Sequence, residues 1–124
     1  MRKMCLLAGA AVVVFNLGMS MAHADWAIAI GQNGSEKYAY GTAWNYTDAG
    51  EAKKNALSQC RKNGPNCKVV ADGAGQCIGL AFGTTDNAYG WAQDEKKADA
   101  QAAALKECSK YSKDCELKDS FCDE

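Results

Sequence analysis

Large and small apolar residues alternate at the start of the chain's globular part. Trp26, Ile28 and Ile30 are interleaved with Ala27 and Ala29, a period of two that predicts a short apolar strand. Asn33-Gly34 follows, a pair that tolerates positive φ and predicts a hairpin turn. Tyr38, Tyr40 and Ala43 continue the alternation on a return strand. The period then changes. Ala49, Ala52, Ala56, Leu57 and Cys60 fall on one face of a helix beginning near Asp48, with Lys53, Lys54, Asn55 and Arg61 elsewhere. Asp48 and Glu51 have the spacing of a capping box. The stretch NGPN at 63–66 ends the helix, and CKVVA at 67–71 reads as a third strand.

The same order then recurs. CIGLAF at 77–82 and AYGWA at 88–92 predict a second hairpin, with Asp86-Asn87 near its turn. A helix is expected from about Glu95 to Lys110, with Ala100, Ala104, Leu105 and Cys108 inward. CELKD at 115–119 is the last strand, and its polar content places it at a sheet edge. Shifted by 48 residues, Cys60 falls on Cys108, Cys67 on Cys115 and Leu57 on Leu105. Slightly different offsets match Gly41 to Gly90, Cys77 to Cys122 and WAIAIG at 26–31 to IGLAFG at 78–83. Two copies are too few for a solenoid. The pattern predicts an α+β fold: a strand-strand-helix-strand unit duplicated over about 26–76 and 77–124, with antiparallel sheet packed on two helices. Trp26 and Tyr40 are expected to pack beneath those helices.

The first 24 residues read differently. Arg2 and Lys3 precede the apolar run CLLAGAAVVVF at 5–15, and AHA at 22–24 has the small-residue form of a signal-peptide cleavage site. Residues 1–24 are therefore expected to be a signal peptide cut between Ala24 and Asp25. Residues 25–124 then form one small domain, periplasmic or secreted. No second apolar segment is long enough to span a bilayer. The remaining 100 residues keep 12 basic and all 15 acidic residues, a net charge of about −3. Dense Lys/Arg patches, which nucleic acid and anionic membranes favour, are missing.

Cysteine usage agrees with export. Beyond Cys5, six remain: Cys60, Cys67, Cys77, Cys108, Cys115 and Cys122. An even count in a short exported chain reads as a disulfide framework. The spacings hold no C-x-x-C, and residues 25–124 hold no histidine, so neither a metal site nor a cofactor is expected. Six cysteines allow 15 pairings. The repeat symmetry favours Cys60–Cys67 and Cys108–Cys115, each tying a helix end to the next strand. Cys77 and Cys122, taken as equivalent positions, would pair across the halves.

The opening WAIAI, the return strand YAYG, the Ala56-Leu57 and Ala104-Leu105 helices and the two C-x6-C elements resemble one family. It is the group of small exported bacterial proteins known as domain of unknown function 4189. The resemblance implies the fold and an exported location, and carries no catalytic residues.

The sole histidine, His23, lies in the segment expected to be removed. Serine–histidine and cysteine–histidine chemistry goes with it. A carboxylate pair would still allow a hydrolase, but the acidic residues fall at a helix start, on helix flanks and in the tail. A non-catalytic protein-binding module is the expectation, such as an inhibitor or immunity protein against an exported toxin or wall hydrolase. Trp44 and Tyr46, past the end of a strand, suit binding or sugar stacking, so a carbohydrate- or peptidoglycan-binding envelope protein is the alternative. The acidic tail, with Asp119, Asp123 and Glu124, is the second candidate surface: a solvated end or a rigid negative prong for a basic partner.

Overall fold

The computed structural model describes residues 24–32, 38–84 and 88–123. The signal-peptide expectation for residues 1–23, both hairpin turns and Glu124 lie outside the described residues. The order of elements is β1 (Asp25–Gln32), β2 (Tyr38–Tyr46), α1 (Ala49–Asn63), β3 (Lys68–Ala74), β4 (Cys77–Gly83), β5 (Tyr89–Asp94), α2 (Lys97–Ser109) and β6 (Cys115–Cys122). Each half makes its own three-stranded antiparallel sheet, ordered β2-β1-β3 and β5-β4-β6.

The duplication extends to irregularities. β1 and β3 slip register between Ile28 and Ala29, and β4 and β6 slip at the corresponding point, between Leu80 and Ala81. The helices also begin differently. Asp48 caps α1 through its carboxylate, which accepts from the Gly50 N–H at 2.9 Å. At α2 the cap position holds Lys96, whose side chain makes no cap bond, and the helix starts at Lys97, two residues later than expected. Ala49, expected inward, is exposed.

Both faces of β1 and β4 are buried, and residue size decides what each face meets. Ala27, Ala29, Ala39 and Ala43 pack against Ala52, Ala56 and Cys60 of α1. Ala81 and Ala88 pack against Ala104 and Cys108 of α2. The large residues point the other way. Trp26, Ile28, Ile30, Ile78, Leu80, Phe82 and Phe121 form one core between the two sheets, with Tyr40 packed against it. This corrects the placement of Trp26 and Tyr40 beneath the helices. A helix can approach a sheet closely only over small side chains, so the aromatic rings fill the wider gap between sheets. The result is four layers: helix, sheet, sheet, helix.

Glycines set the helix–sheet spacing. A Cβ on Gly41 would stand 2.2 Å from the Ala56 carbonyl oxygen, and one on Gly90 would stand 2.3 Å from the Cys108 nitrogen. Between the sheets the halves trade bulk. Trp26 lies opposite Gly73 in register, while the corresponding Ile78 lies opposite Phe121.

The cysteines pair as Cys60–Cys67, Cys108–Cys115 and Cys77–Cys122. The third pair has a different basis from the one expected. Cys77 and Cys122 face each other in register on β4 and β6, inside the second half. Their counterparts in the first half are Asp25 and Ala74, also register partners. The bond therefore staples one sheet and does not cross between halves.

Candidate functional site: one sealed seam and one open seam

The two sheets meet along two equivalent seams, β2 with β6 and β5 with β3. The first is closed by polar bonds. Thr42 Oγ1 donates to Asp119 Oδ2 at 2.8 Å, and the Tyr40 hydroxyl donates to the Lys118 carbonyl at 3.4 Å. Burial raises the Tyr40 pKa above its ordinary value; the Asp119 charge adds to the rise and Lys118 partly opposes it. Trp44 stacks on Phe121 with ring centroids 4.6 Å apart and planes 9° from parallel. Further along, one Asp123 carboxylate oxygen accepts from the Asn45 main-chain N–H and the other from the Gly75 N–H at 3.0 Å.

This seam gathers Trp44, Asp119 and Asp123, and it sets Tyr46 apart. Residues two apart on a strand share a face. Asn45, however, has φ of +65°, and the β1–β2 register slips there. The extra residue of this bulge turns Tyr46 to the α1 side, against the alanine cluster. Trp44 and Tyr46 therefore do not share one platform. Trp44 remains 39% exposed, with one ring face taken by Phe121. In the tail, Asp119 is half-buried and Asp123 is only 4% exposed, so both carboxylates turn inward to the seam.

At the second seam the counterparts of Thr42 and Asp119 are Trp91 and Ala71, which cannot make the same bond. The counterpart of Phe121 is Gly73. Here the surface is hollowed. One cavity of about 460 Å³ has Tyr38, Val70, Lys68, Gln32 and Tyr89 in its walls. A second, of about 420 Å³, is lined by Ala88 and by Tyr89, Gly90 and Trp91 of β5, with Glu107 and Tyr111 opposite. Consecutive strand residues point to alternate faces, so a cavity touching four in a row runs along the strand's free edge. Tyr89 belongs to both cavities and joins them.

The edge itself differs between halves. The Ala88 carbonyl accepts from the Gly83 N–H, on the β4 side. By alternation Tyr89, Trp91 and Gln93 direct their main-chain N–H and C=O groups outward. In β2 the corresponding Tyr40 carbonyl is covered, because Asn63 Nδ2 donates to it at 3.3 Å. The repeat places Tyr111 where Asn63 stands, and Tyr111 is 72% exposed. Among the described residues no side chain donates to the Tyr89 carbonyl. The β4–β5 register is free of slips, whereas β2, β3 and β6 each carry one. Residues 88–93 carry no charge. Edge strands are usually blunted by bulges, charges or covers; among the described residues β5 has none of these before Asp94. Tyr89 and Trp91 were legible only as strand aromatics, and Tyr111 carried no signal in the sequence.

The profile of the family described as domain of unknown function (DUF4189) matches residues 26–122. The chain belongs to the DUF4189 family. The match covers both halves and all six disulfide-bonded cysteines, so the duplicated, stapled fold described above is the DUF4189 unit of this chain. No curated protein and no solved structure matches the chain. The disulfides fit a protein of a non-cytoplasmic compartment, and no helix among the described residues is long and apolar enough to cross a membrane. Among the described residues no three His, Cys, Asp or Glu side chains are grouped to hold a metal ion.

Proposed function

We propose that this DUF4189 protein is exported, with its signal peptide removed before Asp25, and acts as a non-catalytic protein-binding module. Its docking face is the open seam along β5. The partner contributes an extended segment that adds to the sheet as a further strand. One observation carries the reading: β5 is a regular edge strand, uncharged up to Asp94, left uncovered by the described residues and flanked by aromatic hollows, while its repeat counterpart β2 is bulged, capped and sealed. Main-chain pairing would supply affinity, and the hollows beside Tyr89 and Trp91 would select side chains. A net charge of about −3 favours encounter with a basic partner. An exported toxin or wall hydrolase, held by a stapled inhibitor or immunity protein, fits that description.

The test uses the Gln93→Pro variant. Its ring removes an outward N–H and leaves the β4 ladder intact, because the Gln93 main chain faces away from β4. Oxidised wild-type and variant proteins, matched for melting temperature, are used as bait against periplasmic and secreted fractions of the source. The expected result is one stoichiometric partner retained by wild type and lost by Gln93→Pro. Equal capture by both baits, or binding only to purified sacculi, would overturn strand addition.

A further inference from the structure

The sealed seam ends at a carboxylate whose position has no use in the docking reading. Asp123 is 4% exposed, and among the described residues no lysine or arginine is paired with it. Its two oxygens accept from the main-chain nitrogens of Asn45 and Gly75, and its own N–H donates to the Gln76 carbonyl at 2.7 Å. Asn45 lies on β2 and Gly75 directly follows β3, and β1 runs between those strands. In register, Asp25 stands opposite Tyr46 on one side and Ala74 on the other. The carboxylate therefore straddles the first residue of β1.

The Gly75 N–H is shared. It donates to Asp123 Oδ2 at 3.0 Å and to the Ala24 carbonyl, also at 3.0 Å. In a trans peptide the carbonyl and the next N–H point to opposite sides. With the Ala24 carbonyl aimed at Gly75, the Asp25 nitrogen faces β2, the side where Asp123 accepts from Asn45. Asp25 is the register partner of Tyr46, so its nitrogen belongs to the β1–β2 ladder, next to the Asn45 N–H from which Asp123 accepts.

We infer that Asp123 is the seat for the α-ammonium group released when the chain is cut between Ala24 and Asp25. The inference rests on the proposed export and cleavage. Hydrolysis of that peptide bond consumes one water, leaves a carboxylate on Ala24 and an amine on Asp25, and the amine takes a proton at neutral pH. The Gly75 N–H loses the Ala24 acceptor and keeps Asp123. The Asp25 nitrogen, which has one donor as an amide, becomes a cation with three, one for the β2 ladder and others for the buried carboxylate. Processing thus completes the seam: the mature chain holds a buried ion pair that the precursor lacks, tying β1 to the end of β6. Asp25, itself buried, adds a second acidic residue at the same end of the strand.

The experiment compares two exported, oxidised proteins: the natural chain, and one with a glycine inserted between Ala24 and Asp25. Intact mass comes first, because a natural product beginning elsewhere than Asp25 overturns the cleavage site and this inference with it. With Asp25 first, the natural form is expected to melt roughly 4–8 °C above the glycine-extended form, and Asp123→Asn should remove that gap. No gap, or an undiminished gap in Asp123→Asn, overturns the ammonium seat while leaving export and docking untouched. Should Asp123→Asn fail to fold, the acylation rate of the α-amine decides. It is expected to be about tenfold slower at neutral pH than in a peptide beginning Asp-Trp, as for an amine held protonated about one pH unit beyond its usual range. A rate equal to the peptide's overturns the pairing.

Discussion

Gly41→Ala and Gly90→Ala should cost nearly the same stability, and a large amount for a single methyl group. At Gly41 the added carbon meets the Ala56 carbonyl oxygen at 2.2 Å, the Cys60 nitrogen at 2.5 Å and the Gln59 Cβ at 2.8 Å. At Gly90 it meets the Cys108 nitrogen at 2.3 Å, the Glu107 Cβ at 2.7 Å and the Ala104 carbonyl oxygen at 2.8 Å. The first obstacle in each case is helix backbone, which no rotamer change can move aside. Normal contact needs about 3.4 Å or more, so each helix must retreat by roughly an ångström, and the retreat loosens every alanine contact along its face. Overpacking of this kind typically costs about 1–3 kcal/mol. The upper end, about 3 kcal/mol, is expected here because a disulfide anchors each helix end and limits relaxation. Gly75→Ala is the control. Its φ is +71° and nothing lies within 4 Å of its Cβ position, so only backbone strain of about 1 kcal/mol applies. Urea unfolding of the oxidised proteins, at constant m-value, measures all three. If Gly41→Ala and Gly90→Ala cost no more than Gly75→Ala, close helix docking through glycine is not what sets the layer spacing.

Three further outcomes are expected. Replacing both Cys77 and Cys122 by alanine should cost about 4 kcal/mol, against about 2.5 kcal/mol for Cys108 and Cys115, because the closed loops span 45 and 7 residues and the denatured-state entropy scales with their logarithm; calorimetry or urea melts give the ranking, and the reverse order would count against it. Lys96→Asp should raise stability by about 1 kcal/mol by giving α2 the cap that Asp48 gives α1, and Asp48→Ala should lower it by a similar amount. Stability should fall as pH rises above about 10: folded Tyr40 holds its proton more tightly than the unfolded chain does, so its contribution is complete below the unfolded pKa and fades through the raised one. A Tyr40→Phe variant followed by denaturant melts between pH 9 and 11 should lose that slope.

Much of this protein is decided locally. The period-two runs, the alanine helices, the NGPN stop and the recurrence at 48 residues determine the six strands and two helices of the described residues and their order. Symmetry of the repeat is enough to pair Cys60 with Cys67 and Cys108 with Cys115. The third pair was expected from an equivalence of Cys77 and Cys122 across the halves, whereas the two are register partners within one sheet of the second half. The tertiary structure alone decided which face of each strand meets which layer. β1 and β4 are apolar on both faces, so no polar side marks the outside, and only size sorts alanine toward helix and aromatic rings toward sheet. Packing also separated two seams that the repeat makes alike. The single-residue bulge at Asn45, the inward turn of Asp123 and the exchange of Asn63 for Tyr111 read as ordinary polar and aromatic positions along the chain. Their consequence, one edge sealed and the other left open, arises from contacts between residues about 78 positions apart, which no local pattern encodes.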